Sequence, residues 1–390
     1  MEVNIPQAPT TQKTQPEVKN ISQNPQPSII PQTPPKLTLP KNPKKRLIIK
    51  ILIISLVLIG LGIGGFFVWK NFFATKEVIY KGAWMPALDK GGLASIMPVM
   101  KDLGMNTASL AIGIIQEEGN PVVRLETSYA LDNIRLAQEN NMKVMLTPNL
   151  YPKPRPRLGE KDLEKLNSLI IEAAEFAEEH DVEIFAPLAE PQTVLSVDVF
   201  KWGQEILPKV KKVYHGEIYW SFGGVGSPPD KTAIARIAKE PPGEFTGYDY
   251  IGLTLLFPVS ESLEPKDRLQ WADILTLEGY SQHVEGAIDY MLARAERDGC
   301  KGVIIDEFGV FDRFFVEGAG IVDVLEEGWM SEEELARAFK IVFEKGKGKV
   351  SGFMLGYFAE GEVPGMPGVY IKGYSDAEKE VIRKYFTEIL

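Results

Sequence analysis

Two hydrophobic patterns alternate along this chain from Val78 onward. Short apolar runs rich in β-branched residues predict buried strands, and longer stretches with apolar positions three and four apart predict amphipathic helices. The predicted strands are Val78–Trp84, Asn106–Ile112, Lys143–Thr147, Glu183–Leu188, Glu217–Phe222, Tyr248–Leu255, 301–305 and Val350–Phe358. The predicted helices are Leu93–Leu103 (closed by Gly104), Ser128–Asn140, Lys161–His180, Val197–Tyr214, Val284–Arg297, Glu332–Lys345 and Asp376–Thr387. In Lys161–His180 the residues Leu163, Leu166, Ile170, Ala173, Ala174 and Ala177 share one face. Eight strands alternating with helices predict the α/β class and a single (β/α)8 barrel. A doubly wound open sheet competes, but it wants a Gly-rich phosphate turn after an early strand. The only Gly-rich candidate, 223–227, follows a middle strand and lacks the lysine of a P-loop, so it reads as a loop.

A different pattern precedes the barrel. Residues 1–46 are rich in Pro, Gln, Thr, Asn and Lys and almost lack aromatics, which predicts a disordered tail. Residues 47–69 then form one apolar run without a charge from Ile51 to Trp69, long enough for a single transmembrane helix. A cleaved signal peptide fits poorly, because both the run and the tail before it are too long. Lys44, Lys45 and Arg46 crowd the amino-terminal flank, so the positive-inside rule places the tail in the cytoplasm and the barrel outside the cell. Residues 70–76 read as a linker and 77–390 as the barrel domain.

Charge sharpens this division. Residues 1–76 carry ten Lys/Arg and two Asp/Glu, and the rest carries 33 and 51. An acidic body argues against nucleic acid as a partner, since phosphate binding needs a basic surface. The single cysteine, Cys300, excludes an internal disulfide, and the three histidines are not at metal-ligand spacing.

The candidate chemistry sits at two strand ends. The seventh strand, Gly302-Val303-Ile304-Ile305, ends in Asp306-Glu307, and the fourth ends in Glu190 of Ala189-Glu190-Pro191. Carboxylates at carboxyl ends of strands converge at the end of the barrel where such folds keep their chemistry. A pair of them is what glycoside hydrolysis needs. Strict alternation along the strand points Asp306 away from Glu307, as a structural partner for a basic residue. The bland reading, that Asp306 and Glu307 cap the next helix, stands beside this one.

These motifs resemble the large retaining clan of TIM-barrel glycoside hydrolases, and glycoside hydrolase family 113, mannanase-like, in particular. The resemblance rests on the two acid motifs, on Lys143–Leu146, on Lys211–Tyr214 with Gly216, and on Tyr250–Leu253 with Phe257-Pro258. It implies Glu190 as acid/base, Glu307 as nucleophile, a β-linked poly- or oligosaccharide as substrate, and no cofactor or metal. Two positions depart from the clan: its asparagine before the acid/base is Ala189 here, and an aromatic after strand six is Leu256. Trp84, Tyr151, Trp220, Phe257 and Tyr357 are the candidate sugar-binding aromatics; for Trp84, Tyr151 and Trp220 ordinary barrel packing is the alternative. The alternative for the whole domain is a carbohydrate-binding or surface scaffold barrel that has lost its chemistry.

Overall fold

The computed structural model describes residues 79–85, 90–117, 120–151, 157–224, 228–237, 239–257, 277–310, 313–316, 320–323, 331–356, 361–362, 370–371 and 373–390. Eight parallel strands close into a barrel: β1 (Tyr80–Met85), β2 (Thr107–Glu117), β3 (Lys143–Tyr151), β4 (Ile184–Phe185), β5 (Glu217–Trp220), β6 (Tyr250–Phe257), β7 (Gly302–Val310) and β8 (Gly352–Leu355). Each pairs with its successor, and β1 pairs with both β8 and β2, so no edge remains. The doubly wound alternative is thereby excluded. The helices are α1 (Lys90–Asp102), α2 (Ser128–Glu139), α3 (Glu160–Glu179), α4 (Val199–Val210), α5 (Lys231–Ile237), α6 (Leu277–Asp298), α7 (Glu332–Gly346) and α8 (Asp376–Lys384).

Side-chain alternation along the strands divides the core in two. Tyr80, Met145, Ile184, Tyr219, Tyr250, Ile304 and Met354 pack together, one from each of seven strands, and fill the barrel lumen. Their sequence neighbours, such as Val144, Phe185, Ile251, Val303, Ile305 and Phe353, belong to the larger cluster that the helices cover. Helix α3 buries Leu166, Leu169, Ile170, Ala173, Ala174 and Ala177, close to the face expected from its periodicity. Helices α7 and α8 each begin with a reciprocal cap, Ser331 with Glu334 and Ser375 with Glu378.

Several boundaries differ from expectation. Strand β4 is only two residues long, because the chain leaves the ladder to make the turn at Glu190. Asn120–Glu126 returns antiparallel on β2 as a hairpin, and a short ribbon, Arg313–Val316 with Gly320–Asp323, follows β7. Both lie in segments where β/α counting predicts only connections. Helix α5 fills part of the predicted connection between β5 and β6. Helix α8 ends in a π turn at Tyr385–Ile389. Among the described residues no helix is long and apolar enough to cross a membrane. The predicted tail 1–46 and span 47–69 lie outside the described residues.

Candidate active site

The site is built by an irregularity in β7. Ile304 lies opposite Gly252 of β6 and Glu307 opposite Thr254, so three steps on β7 match two on β6. On the other side Ile305 pairs with Phe353 and Phe308 with Leu355, again three steps against two. One extra residue therefore sits in β7 between Ile305 and Phe308, a β-bulge. Ile305 and Phe308 both join the helix-facing core. Asp306 and Glu307, between them, both turn toward the lumen.

Their surroundings confirm that direction. Ser221 Oγ, just past β5, donates to Asp306 Oδ2 at 3.1 Å, and Thr254 Oγ1 lies 3.5 Å from Oδ1. A Cβ on Gly252 would lie 2.3 Å from Asp306 Oδ2, so only glycine leaves room for that carboxyl. A Cβ on Gly356, just past β8, would lie 2.7 Å from Glu307 Cγ. Asp306 is thus not the partner of a basic residue that alternation predicts, because the bulge breaks the alternation. Its hydrogen-bond partners are two hydroxyls. Burial, and then the charge of Glu190, push its carboxyl up to about 8. Tyr219, in the lumen below and hydrogen-bonded to Thr147 at 2.8 Å, is likewise raised, by burial first and then by Asp306.

Glu190 approaches from the fourth strand. Its backbone is left-handed, φ 40° and ψ 62°, immediately before Pro191, where a one-turn helix (Pro191–Val194) begins. That conformation is unusual for a glutamate and costs on the order of 1–3 kcal/mol. A residue preceding proline is further biased toward extended backbone. The turn is pinned on both sides: Ala189 N–H donates to Pro148 O at 2.9 Å, and Glu190 N–H to Ser221 Oγ at 3.4 Å. The Glu190 carboxyl reaches over the end of β5, with Oε1 3.4 Å from where a Cβ on Gly223 would stand. Ser221 thereby links the Glu190 turn to Asp306, and the acids from β4 and β7 share the carboxyl end of the barrel.

The predicted aromatics separate. Trp84 is half-buried near the end of β1, in phase with lumen-facing Tyr80. Tyr151 ends β3 and its hydroxyl accepts from Asn149 Nδ2 at 3.0 Å. Trp220 is a correction: it is 1% exposed and packs against Trp202, Phe245 and Tyr248 between barrel and helices, out of a substrate's reach. Its neighbour Ser221, not Trp220, has the lumen-facing phase. Phe257 closes β6 opposite Val310, with its side chain outside the described residues, as is that of Leu256. Tyr357 also lies outside them. Sequence reasoning missed Ser221 and Thr254. The available signal was a small polar residue in the lumen phase of an apolar strand, in EIYWSF and in YIGLTL.

At the opposite end of the barrel a cleft of about 560 Å³ is lined by Tyr80, Lys143, Glu183, Glu217, Asp249 and Lys301, among others. Its acids are neutralised in place. Lys301 Nζ lies 2.9 Å from both Glu217 and Asp249. Glu183 accepts from Val144 N–H at 2.6 Å, and Asp249 from Ile218 N–H at 2.9 Å. The amino-terminal face of such a barrel serves stability rather than chemistry, and this cleft has that character. Among the described residues no group of His, Cys, Asp and Glu could hold a metal ion.

The class of protein is then a (β/α)8 barrel with a carboxyl cluster at the carboxyl ends of its strands. No protein-family model and no curated protein matches the sequence. Solved structures do match the fold. A GH113 β-1,4-mannanase superposes with a TM-score of 0.50 at 15% identity, over 80% of this chain and 99% of that one. The GH113 β-mannanase AaManA from Alicyclobacillus acidocaldarius, in complex with ManMIm, gives 0.50 at 15%, over 82% and 99%. A glycoside hydrolase family 5 mannosidase from Rhizomucor miehei gives 0.52 at 12%, over 80% and 94%. The barrel implied by the family 113 resemblance is the barrel found, and at these identities the likeness is one of fold.

Proposed function

We infer that the barrel is a glycoside hydrolase acting with retention on a β-linked poly- or oligosaccharide, mannan-like substrates first among them. The observation that carries this is the bulge in β7. It delivers Glu307 to the lumen at the same end of the barrel as Glu190, with Ser221 spanning the two strand ends. In this reading Glu307 attacks the anomeric carbon and forms a glycosyl-enzyme. Glu190 protonates the departing oxygen and then takes the proton of the incoming water. The strained turn at Glu190 suits such a role, because strain persists where the surroundings hold a functional group in place. We assign sugar stacking to Trp84 and Tyr151, which lie near the ends of β1 and β3. The fold shared with GH113 and GH5 enzymes supports the reading, and the substrates those proteins are named for suggest the first ones to try.

We place the barrel outside the cell, tethered by residues 47–69, with residues 1–46 in the cytoplasm. This rests on the uncharged apolar run and its basic flank. Protease added to intact cells should remove the barrel and spare an amino-terminal tag; the reverse pattern sinks this topology.

A second reading is favoured by one observation. Ala189 stands where the clan's asparagine would contact the sugar, and it offers no side-chain hydrogen bond. A barrel that binds glycan without cleaving it fits that loss. The test is reducing-end release from β-1,4-mannan and related β-glucans by the full chain, with Glu190→Gln and Glu307→Gln as controls. Release by wild type and its loss in both variants supports the hydrolase. Equal glycan binding by all three proteins, with no release by wild type, supports the binding module instead.

A further inference from the structure

The hydrogen bonds at the carboxyl end of the barrel meet at Ser221, which also contacts the Tyr219 hydroxyl. Glu190 N–H donates to Ser221 Oγ, and the Ser221 hydroxyl donates onward to Asp306 Oδ2. On the far side, Thr254 Oγ1 lies 3.4 Å from Phe222 O and 3.5 Å from Asp306 Oδ1. Both of those oxygens accept when Asp306 is ionised, yet a threonine hydroxyl has one proton to give. The conflict disappears if Asp306 Oδ1 carries a proton. It then donates to Thr254 Oγ1, and Thr254 donates to Phe222 O. A neutral Asp306 gives each of these contacts one proton.

We propose that Asp306 is a third carboxyl of the site, a positioning residue that works as a neutral acid. It ties the Glu190 turn to β7 through Ser221 and keeps its own negative charge out of the cluster. The inference rests on the glycosidase reading for what is positioned, and on the hydrogen-bond geometry for the protonation. Three titratable groups face Asp306: Glu190 across the end of β5, Tyr219 from β5 and Glu307 beside it on β7. Tyr219 is raised well above the usual phenol range and stays neutral, so the ionisations that matter are the carboxyls. The upward shift of Asp306, with burial as its largest cause, agrees with the hydrogen-bond argument. When Asp306 ionises, the Thr254 contact must rearrange and a new charge stands beside Glu190 and Glu307. Both effects oppose catalysis.

The experiment is an infrared titration of the carboxylic C=O stretch in the full-length protein, combined with the pH profile of glycan hydrolysis. At pH 7 wild type should show a buried neutral-carboxyl band that Asp306→Asn lacks. Its midpoint should lie near 8. It should fall in Glu190→Gln, where a neighbouring charge is gone. It should rise in Ser221→Ala, which removes a hydrogen bond that favours the ionised form. Asp306→Asn can keep both contacts, accepting from Ser221 and donating to Thr254. Its alkaline limb should move up by about one pH unit or more, while Asp306→Ala should lose about tenfold in rate at every pH. Absence of the Asp306 band at pH 7, or a midpoint that neither neighbour moves, overturns the proposal. So does an unchanged alkaline limb in Asp306→Asn. If wild type cleaves no glycan, the hydrolase reading fails, and the infrared titration with its two neighbour variants still decides the state of Asp306.

Discussion

Two groups of three described acids, one at each end of this barrel, are treated oppositely. At the amino-terminal end Glu183, Glu217 and Asp249 are each matched by a lysine or a backbone N–H. Tyr80 and Tyr250 add hydroxyls to Glu217, and Lys301 is held above its ordinary range by its hydrogen bonds to Asp249 and then Glu217. At the carboxyl end Asp306 is fully enclosed with only hydroxyls for partners, while Glu190 and Glu307 stand close by. The first arrangement secures the fold. The second keeps a raised, buried carboxyl beside two others, the pattern that marks a candidate site. The partners of a carboxyl, more than its burial, tell the two apart.

The sharpest way to break this contrast is to remove one charge at each end and compare activity with stability. Glu307→Gln or Glu190→Gln should lower kcat/KM by about 10⁴-fold, near 5.5 kcal/mol of transition-state binding. Neither should lower the urea midpoint, because glutamine keeps the shape of the side chain and can still hydrogen-bond. Unfolding of either variant at lower urea than wild type would make these acids structural. Trp220→Ala should do the reverse. Loss of a fully enclosed ring from the outer core costs about 3–5 kcal/mol of stability, read as a lower denaturation midpoint. Trp84→Ala should leave the midpoint near wild type and raise KM.

The next effect is one of slope. The folded-state Asp306 carboxyl titrates near 8, far above its unfolded value. The native state therefore holds an extra proton between about pH 4 and pH 8. Stability falls as pH rises through that window, and Asp306→Asn should flatten the fall. Urea midpoints at pH 5 and pH 8 measure this, and identical slopes in the two proteins would contradict it. The smallest effect belongs to the amino-terminal end. Lys301→Met removes a partly exposed cation shared by two acids, at a cost of no more than about 1 kcal/mol. Activity per folded molecule should be untouched, since the change lies at the far end of the barrel from Glu190 and Glu307.

Much of this was written in the order of residues. Periodicity alone gave the eight strands, most of the helices and the placing of Glu190 and Glu307 at strand ends, because a buried strand needs an apolar run and a covering helix needs one apolar face. What a single strand's pattern cannot contain is its register against two neighbours. The bulge in β7 exists only as a mismatch with β6 and β8, so the inward turn of Asp306 was hidden. The same limit misassigned Trp220, whose phase on β5 is set by which neighbour faces the lumen. The link from Glu190 through Ser221 to Asp306 joins three strands far apart in sequence, and only closure of the barrel brings them together. The sequence determined the barrel and its candidate acids. The tertiary structure decided which way each of them points, because hydrogen bonding across strands, not periodicity along one, sets where a side chain points.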